Sequence, residues 1–174
     1  MRVQTSALCA VLVVILGAMP AGAQDPPAFV VTPFVAMGTD GSSPIGTSIT
    51  FPIASAFSVD AEAAYRRGEG RFHAPSTSAS LLWSLPSVDR FTLFAAAGGG
   101  LGKYGEPALF RLSTGADVLG TRSVLAMTTN AGFGFNTRVT ERFGLRTDAR
   151  WFRFAGQGRD QFRVALGVSF TVAR

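Results

Sequence analysis

A strict alternation of apolar with small or polar residues runs along the last stretch of the chain. From Phe162 to Val172 every even-numbered residue is large and apolar, and every odd-numbered residue is small or polar. Because successive side chains of a β-strand point to opposite faces, this period predicts a strand with one apolar face. A helix would require a period of 3.6 residues, which no part of the mature chain shows convincingly.

The same alternation recurs upstream and gives eight strand candidates of about ten residues each. They lie around residues 29–37, 45–53, 57–66, 78–85, 91–101, 125–136, 143–151 and 162–172. The connections alternate between short ones at 54–56, 86–89 and 139–141 and longer ones at 38–44, 67–75, 102–122 and 155–160. This arrangement is typical of outer-membrane barrels. The sequence therefore predicts an all-β fold, an eight-stranded antiparallel up-and-down transmembrane β-barrel, and leaves the register of the first strand open.

Residues 1–23 have the features of a secretory signal peptide. Met1-Arg2 gives a positive start, Ala7 to Ala18 is an apolar run too short to span a bilayer, and Ala21-Gly22-Ala23 is a small-residue cleavage site. We expect cleavage after Ala23, which leaves residues 24–174 as the barrel domain. An N-terminal membrane anchor is the alternative.

Composition excludes several classes of protein. Hydrophobic residues make up 47% of the chain and charged residues 16%, which does not fit intrinsic disorder. One Cys and one His cannot supply a disulfide framework, a zinc ribbon or a multi-His metal site. The arginines are scattered along the chain rather than gathered on one face, so nucleic acid is not an expected partner.

The period alone does not say which face of the barrel turns inward. The smaller face carries few charges and the chain has a single Lys, whereas a soluble surface carries many more charges. The apolar face has aromatic residues near the strand ends: Phe51, Phe57, Trp83, Phe91, Phe135, Phe143, Trp151 and Phe170. Such aromatics are typical of the interfacial girdles of membrane barrels. We therefore expect lipid outside; a secreted, soluble ligand-binding barrel is the alternative.

Five stretches resemble strands of the small outer-membrane β-barrel family, which includes OmpA-, OmpX- and OmpW-like barrels. They are Thr32-Pro33-Phe34-Val35, Ser80-Leu81-Leu82-Trp83-Ser84-Leu85-Pro86, Phe94-Ala95-Ala96-Ala97-Gly98-Gly99-Gly100-Leu101, Gly132-Phe133-Gly134 and Gly167-Val168-Ser169-Phe170. The resemblance implies both termini in the periplasm and the longer loops outside the cell. It also implies assembly by the barrel-assembly machinery, which recognises a final aromatic residue in many members; here Phe170 is followed by four more residues.

Charged residues on the small face are the sharpest candidate site. Asp60 and Glu62 lie on the third strand candidate. The seventh candidate carries Arg146, Asp148 and Arg150, and the eighth carries Arg163. Burying charges is costly unless they pair, so we predict a lumenal salt-bridge network that plugs the barrel. The alternatives are that some of these groups reach water at the lumen mouths, or that the pairs rearrange as an ion gate.

Three arginines near the second outer loop are candidates for contact with lipopolysaccharide. Arg66, Arg67 and Arg71 could hold its phosphates, since Arg binds phosphate well. Ordinary solvated loop charge is the alternative. The long third loop, 102–122, is predicted either to bind a partner or to extend the two flanking strands above the membrane.

The remaining motifs predict no catalytic, cofactor or metal site. Residues Gly100 to Gly105 match the GxGxxG pattern of dinucleotide-binding sites, which requires a helix directly after the glycines. Here Glu106-Pro107 follows, without a helical period, so we interpret the glycines as the end of a strand and the start of a loop. Lipid-A-deacylating barrels use a His-x-Ser pair, whereas His73 and Ser76 are three residues apart and would face opposite sides of a strand. His73 is accordingly interpreted as an exposed loop residue.

The sequence thus favours a non-enzymatic outer-membrane protein with a structural or surface-interaction role. The alternatives are a narrow channel for small or hydrophobic molecules and, third, a lipid-A-modifying enzyme. The expected partners are outer-membrane lipid, lipopolysaccharide and the assembly machinery, and we expect a monomer.

Overall fold

The computed structural model describes residues 29–67, 73–111, 115, 117–155 and 159–172. The described chain forms eight β-strands in one closed barrel, in which each strand is hydrogen-bonded to its sequence neighbours and β1 closes against β8. All pairings are antiparallel. The strands are β1 (Phe29–Gly38), β2 (Ser43–Pro52), β3 (Phe57–Arg67), β4 (His73–Ser84), β5 (Phe91–Arg111), β6 (Asp117–Arg138), β7 (Phe143–Phe154) and β8 (Arg159–Val172). The predicted fold class is confirmed.

The register of β1, which the sequence leaves open, is fixed by its two neighbours. Val35 lies opposite Ile45 of β2 and Leu166 of β8, so its side chain shares their outward face. We call the end of the barrel that holds Phe29 and Val172 the termini end, and the opposite end the loop end.

The expected difference in loop length is wrong. At the loop end the strands are joined by residues 39–42, 68–72, 112–116 and 155–158, which are no longer on average than the connections 53–56, 85–90 and 139–142 at the termini end. The stretch at 102–122 is mostly strand, because β5 and β6 pair along their whole length up to Arg111 opposite Asp117. Of the two alternatives for this stretch, extension of the flanking strands is the one that the structure shows.

The β5–β6 hairpin therefore projects well beyond the rest of the barrel. The pairing of β4 with β5 stops at Gly102, and the pairing of β6 with β7 stops at Thr128. Residues 103–111 and 117–125 consequently pair only with each other. Nine residues of β-strand extend about 30 Å along the strand.

The two faces of the strands are sorted as predicted, with small and charged residues inside and apolar residues outside. In β8, Arg163 and Ala165 are buried whereas Leu166 is 54% exposed. The other large apolar side chains of the outer wall include Val35, Leu81, Leu93, Phe133 and Val164, all exposed. A wall of this kind is stable in lipid, where exposing apolar surface carries no hydrophobic cost.

Outward aromatic side chains lie at two levels of this wall. In three strands the levels are eight residues apart, from Phe57 to Tyr65, from Phe143 to Trp151 and from Phe170 to Phe162. Eight residues extend about 27 Å along a strand, and a tilt of 35–45° reduces this to a height of about 19–22 Å. That height is close to the roughly 25 Å apolar band of outer-membrane barrels.

Two predictions concern residues outside the described part of the chain. These are the signal peptide at 1–23 and the contact of Arg71 with lipopolysaccharide. Within the described residues, no helix is long and apolar enough to cross a membrane.

Candidate functional site

Six charged side chains from three strands meet inside the barrel, between the two aromatic levels. They are Asp60, Glu62, Arg146, Asp148, Arg150 and Arg163, which we call the lumenal cluster. Each of them occupies an inward position that the strand period predicts, and all six are buried. Their formal charges cancel, because three arginines face three carboxylates.

Asp60 is the acceptor at the centre of the termini-end half of the cluster. Arg146 binds it with two donors, Nη1 at 3.0 Å from Oδ1 and Nη2 at 2.9 Å from Oδ2. Arg150 Nη2 donates to the same Oδ2 at 2.8 Å. Asp60 is fully buried and Arg150 is 1% exposed. Each charge is therefore stabilised by its ion-pair partners and not by solvent.

Glu62 and Arg163 form the loop-end half of the cluster. The guanidinium of Arg163 donates to both carboxylate oxygens of Glu62, with Nη2 at 2.8 Å from Oε2. Arg150 Nη1 lies 3.8 Å from Oε2 and links this pair to Asp60. A paired fork of this kind fixes the geometry of both side chains as well as supplying charge stabilisation.

Asp148 lies among the three arginines with longer contacts. Its carboxylate is 3.4 Å from Arg146 Nε, 3.3 Å from Arg150 Nε and 3.7 Å from Arg163 Nη2. None of these contacts has hydrogen-bond geometry, and the three Nε atoms are buried without another partner within the described residues. Asp148 therefore balances charge rather than fixing orientation.

Inward aromatic rings cover two of the three arginines of the cluster, and sequence analysis missed these contacts. The guanidinium of Arg146 lies 4.9 Å from the ring centre of Phe94, and that of Arg163 lies 5.1 Å from Phe34 and 4.8 Å from Phe152. Stacking of Arg on aromatic faces is favourable, more so where water is excluded. The signal available was Phe94, a large residue on the small face of its strand.

Neutral polar side chains complete the cluster and were not predicted either. Thr50 donates to Asp60 at 2.7 Å, and Arg146 donates to the Thr50 hydroxyl at 3.1 Å. Ser80 donates to Asn130 at 2.9 Å and accepts from Arg150 at 3.3 Å. Nothing in the sequence distinguishes these residues from the other small polar residues of the inner face.

The lumen is open on one side of the cluster and nearly filled on the other. Towards the termini end lies a cavity of about 540 Å³, whose wall includes Thr32, Thr50, Asn136 and the face of Arg146. Towards the loop end, a pocket of about 20 Å³ lies beside Glu62. The cluster and its rings thus separate the two spaces within the described part of the chain.

Comparison with solved structures finds other chains with a similar barrel architecture. Similar chains include the N-terminal β-barrel domain of Pseudomonas aeruginosa OprF (TM-score 0.63, 16% identity, 86% of this chain and 100% of that chain covered). Neisserial surface protein A, NspA, is also similar (TM-score 0.58, 14% identity, 83% and 95% covered). The chain has the fold of the small outer-membrane β-barrels. No family model and no curated protein matches it.

The outer-membrane enzyme PagL has the same barrel fold (TM-score 0.54, 14% identity, 82% of this chain and 99% of that chain covered). In the present barrel His73 opens β4 and Ser76 lies three residues further along the same strand, not in a loop as expected. The side chain of His73 lies outside the described residues. Gly100 and Gly102 are strand residues of β5. The described residues hold no group of three or more side chains suited to a metal ion.

The arginines expected near the second outer loop are placed differently from one another. Arg66 faces the barrel interior: its Nη1 lies 3.3 Å from Asp40, its side chain is 17% exposed, and its guanidinium lies 5.8 Å from the ring centre of Phe154. Gln161 donates to the same carboxylate at 2.9 Å. Arg67 ends β3, and its side chain lies outside the described residues. Contact of these arginines with lipopolysaccharide stays a prediction.

Proposed function

We propose that this protein is a non-enzymatic, non-conducting outer-membrane barrel with a structural or surface-interaction role. The observation that carries the proposal is the lumenal cluster, which fills the barrel at membrane depth with a set of charges that sums to zero. A buried ionic group persists only where its partners and hydrogen bonds are in place. Here Asp60 with Arg146, and Glu62 with Arg163, meet that condition in forked pairs.

The outer membrane of a bacterium is the proposed location. The fold of OprF, NspA and PagL supports it, as do the two aromatic levels on the outer wall. We further propose that the export signal at 1–23 directs the chain to the barrel-assembly machinery, that outer-membrane lipid surrounds the finished barrel, and that the barrel is a monomer.

A projecting hairpin supports a role at the cell surface. The β5–β6 extension exposes Leu109, Phe110, Val118 and Leu119 near its tip, on a support that the closed barrel holds in place. Recognition residues commonly lie on segments that a rigid scaffold positions.

Planar-bilayer recording tests the non-conducting barrel. We expect the wild-type protein to give no regular current steps, because the cluster separates the large cavity from the loop end. The double substitution Asp60→Ala and Glu62→Ala removes both central acceptors and is expected to produce steps or bursts of current. The matched control is Asp160→Ala, which removes an exposed carboxylate outside the cluster and is expected to stay silent.

The second candidate is a narrow channel, and the 540 Å³ cavity is the observation that favours it. Regular current steps from the wild-type protein, unchanged in the double variant, would support the channel and contradict the plug. An altered acyl-chain pattern of lipid A on overexpression of the wild-type protein would contradict the non-enzymatic role.

A further inference from the structure

A water-sized pocket lies inside the barrel, between the lumenal cluster and the opening at the loop end. Glu62 and Arg163 of the cluster form part of its wall, and Ser78 and Gln161 form another part. The space open to the centre of a water molecule is about 20 Å³. One water molecule needs at least about 10–15 Å³ on this measure, so the pocket takes one such molecule and no larger ligand.

Three polar atoms on the residues of this wall are buried without a hydrogen-bond partner among the described residues. They are Ser78 Oγ, Gln161 Oε1 and Arg163 Nε. Gln161 and Arg163 are each only 4% exposed. Buried polar atoms of folded proteins nearly always bond to protein or to ordered water, so three of them on the wall of one pocket indicate a ligand.

The known contacts of two of these residues fix which atoms are left over. The amide nitrogen of Gln161 donates to Asp40 Oδ1 at 2.9 Å and to Ser42 Oγ at 3.2 Å. Since a carboxylate can only accept, the remaining amide atom of Gln161 is the oxygen. Both terminal nitrogens of Arg163 donate to Glu62, which leaves Nε–H as the unused donor.

The pocket therefore requires a ligand that both donates and accepts hydrogen bonds. Gln161 Oε1 only accepts, Arg163 Nε–H only donates, and the hydroxyl of Ser78 does either. A metal cation would face the positive charges of Arg163 and Arg66, and a halide would face the carboxylate of Glu62. A water molecule matches all three atoms.

We propose that this pocket is a binding site for one internal water molecule, held by Ser78, Gln161 and Arg163. The water links the Gln161–Asp40 contact at the loop end to the Arg163–Glu62 pair of the lumenal cluster. Asp40 lies in the turn between β1 and β2. The site thus ties that turn to the charges at membrane depth.

The stability of Ser78→Ala tests the site, because the direction of the effect depends on the water. Ser78 Oγ bonds no other group within the described part of the chain. Without a water, the variant loses only an unsatisfied hydroxyl and is at least as stable as the wild type. With the water it loses one hydrogen bond, and we expect the equilibrium constant for unfolding to rise about fivefold. Urea unfolding of the full mature barrel from lipid vesicles measures this constant.

Ser84→Ala is the matched control, because Ser84 lies on the same face of the same strand but lines the large cavity at the termini end. It should change the constant by less than about twofold. A rise beyond that range in Ser78→Ala supports the site, whereas a smaller rise or a fall would overturn it. An effect of Ser78→Ala that varies with sodium or chloride concentration would also overturn it, since an ion would then occupy the pocket.

A crystal structure of the wild-type mature barrel, at a resolution that shows other lumenal water molecules, locates the ligand without any substitution. We expect one density peak about 2.7–3.2 Å from Ser78 Oγ, Gln161 Oε1 and Arg163 Nε. Absence of this peak, or direct pairing of these three atoms with one another, would contradict the proposal.

Discussion

Replacing Asp60 with Ala is expected to lower the free energy of unfolding by about 3–5 kcal/mol. The substitution removes the acceptor of the forked contact with Arg146 and of the single hydrogen bond from Arg150. Both arginines stay buried, and their only remaining charged partners in the cluster are at the longer distances to Asp148 and Glu62. The loss is larger than the net worth of the ion pairs, because an unpaired buried charge keeps its full desolvation penalty. Urea unfolding of the barrel from lipid vesicles, followed by tryptophan fluorescence, measures it.

Two further variants separate this explanation from a simple packing defect. Asp160→Ala removes an exposed carboxylate and should change stability by less than about 0.5 kcal/mol. Adding Arg146→Met to Asp60→Ala restores the charge balance of the cluster and should recover part of the loss. A double variant less stable than Asp60→Ala alone would show that charge balance is not what holds the cluster together.

Replacing Gly100 with Ala is expected to cost about 3 kcal/mol or to prevent the barrel from closing. A Cβ at this inward position of β5 would overlap the carbonyl oxygen of Thr77 and lie 2.7 Å from the Cα of Ser78. Both are backbone atoms of the paired strand β4, so neither can move without breaking the ladder. The fraction of protein that gives a compact unheated band after refolding, together with its urea midpoint, measures the effect.

Gly102 provides the matched control, because it lies on the same face of the same strand two residues further on. There a Cβ would meet a ring carbon of Phe154 at 3.3 Å and side-chain carbons beyond 3.5 Å, so small side-chain shifts relieve the contact. Gly102→Ala should cost less than about 1 kcal/mol. Equal losses at the two positions would contradict the argument from backbone overlap.

The fold was predictable because its dominant signal is local. The alternation from Phe162 to Val172 sets both the strand and its outward face, and the same signal in seven of the eight strands predicts the closed barrel. The six charged residues were found for the same reason: a charge on the small face of a lipid-facing strand has only the lumen to occupy.

The contacts that could not be predicted from the sequence are those between residues far apart along the chain. The contacts of Arg163 with Phe34 and Phe152 depend on the register of three strands and on how the closed barrel brings them across the lumen. Of the two predictions for 102–122, extension of the flanking strands is confirmed. A loop was also expected there because Gly105 and Pro107 suggest a turn. In the barrel both lie where β5 pairs on one side only, an edge position that tolerates proline.

The placement of Arg66 shows that basic residues adjacent in the sequence need not form one basic surface. Arg66 and Arg67 are adjacent, but successive residues of a strand face opposite sides, so at most one of them can face lipid. The structure turns Arg66 inward to Asp40.

Heat modifiability of the outer-membrane fraction tests the central claim most directly. Samples are run on a gel in SDS with and without boiling, because a closed membrane barrel keeps its structure in SDS until it is heated. We expect the protein in the outer-membrane fraction and an unboiled band that migrates differently from the boiled one. A soluble periplasmic protein with a single band under both conditions would contradict it.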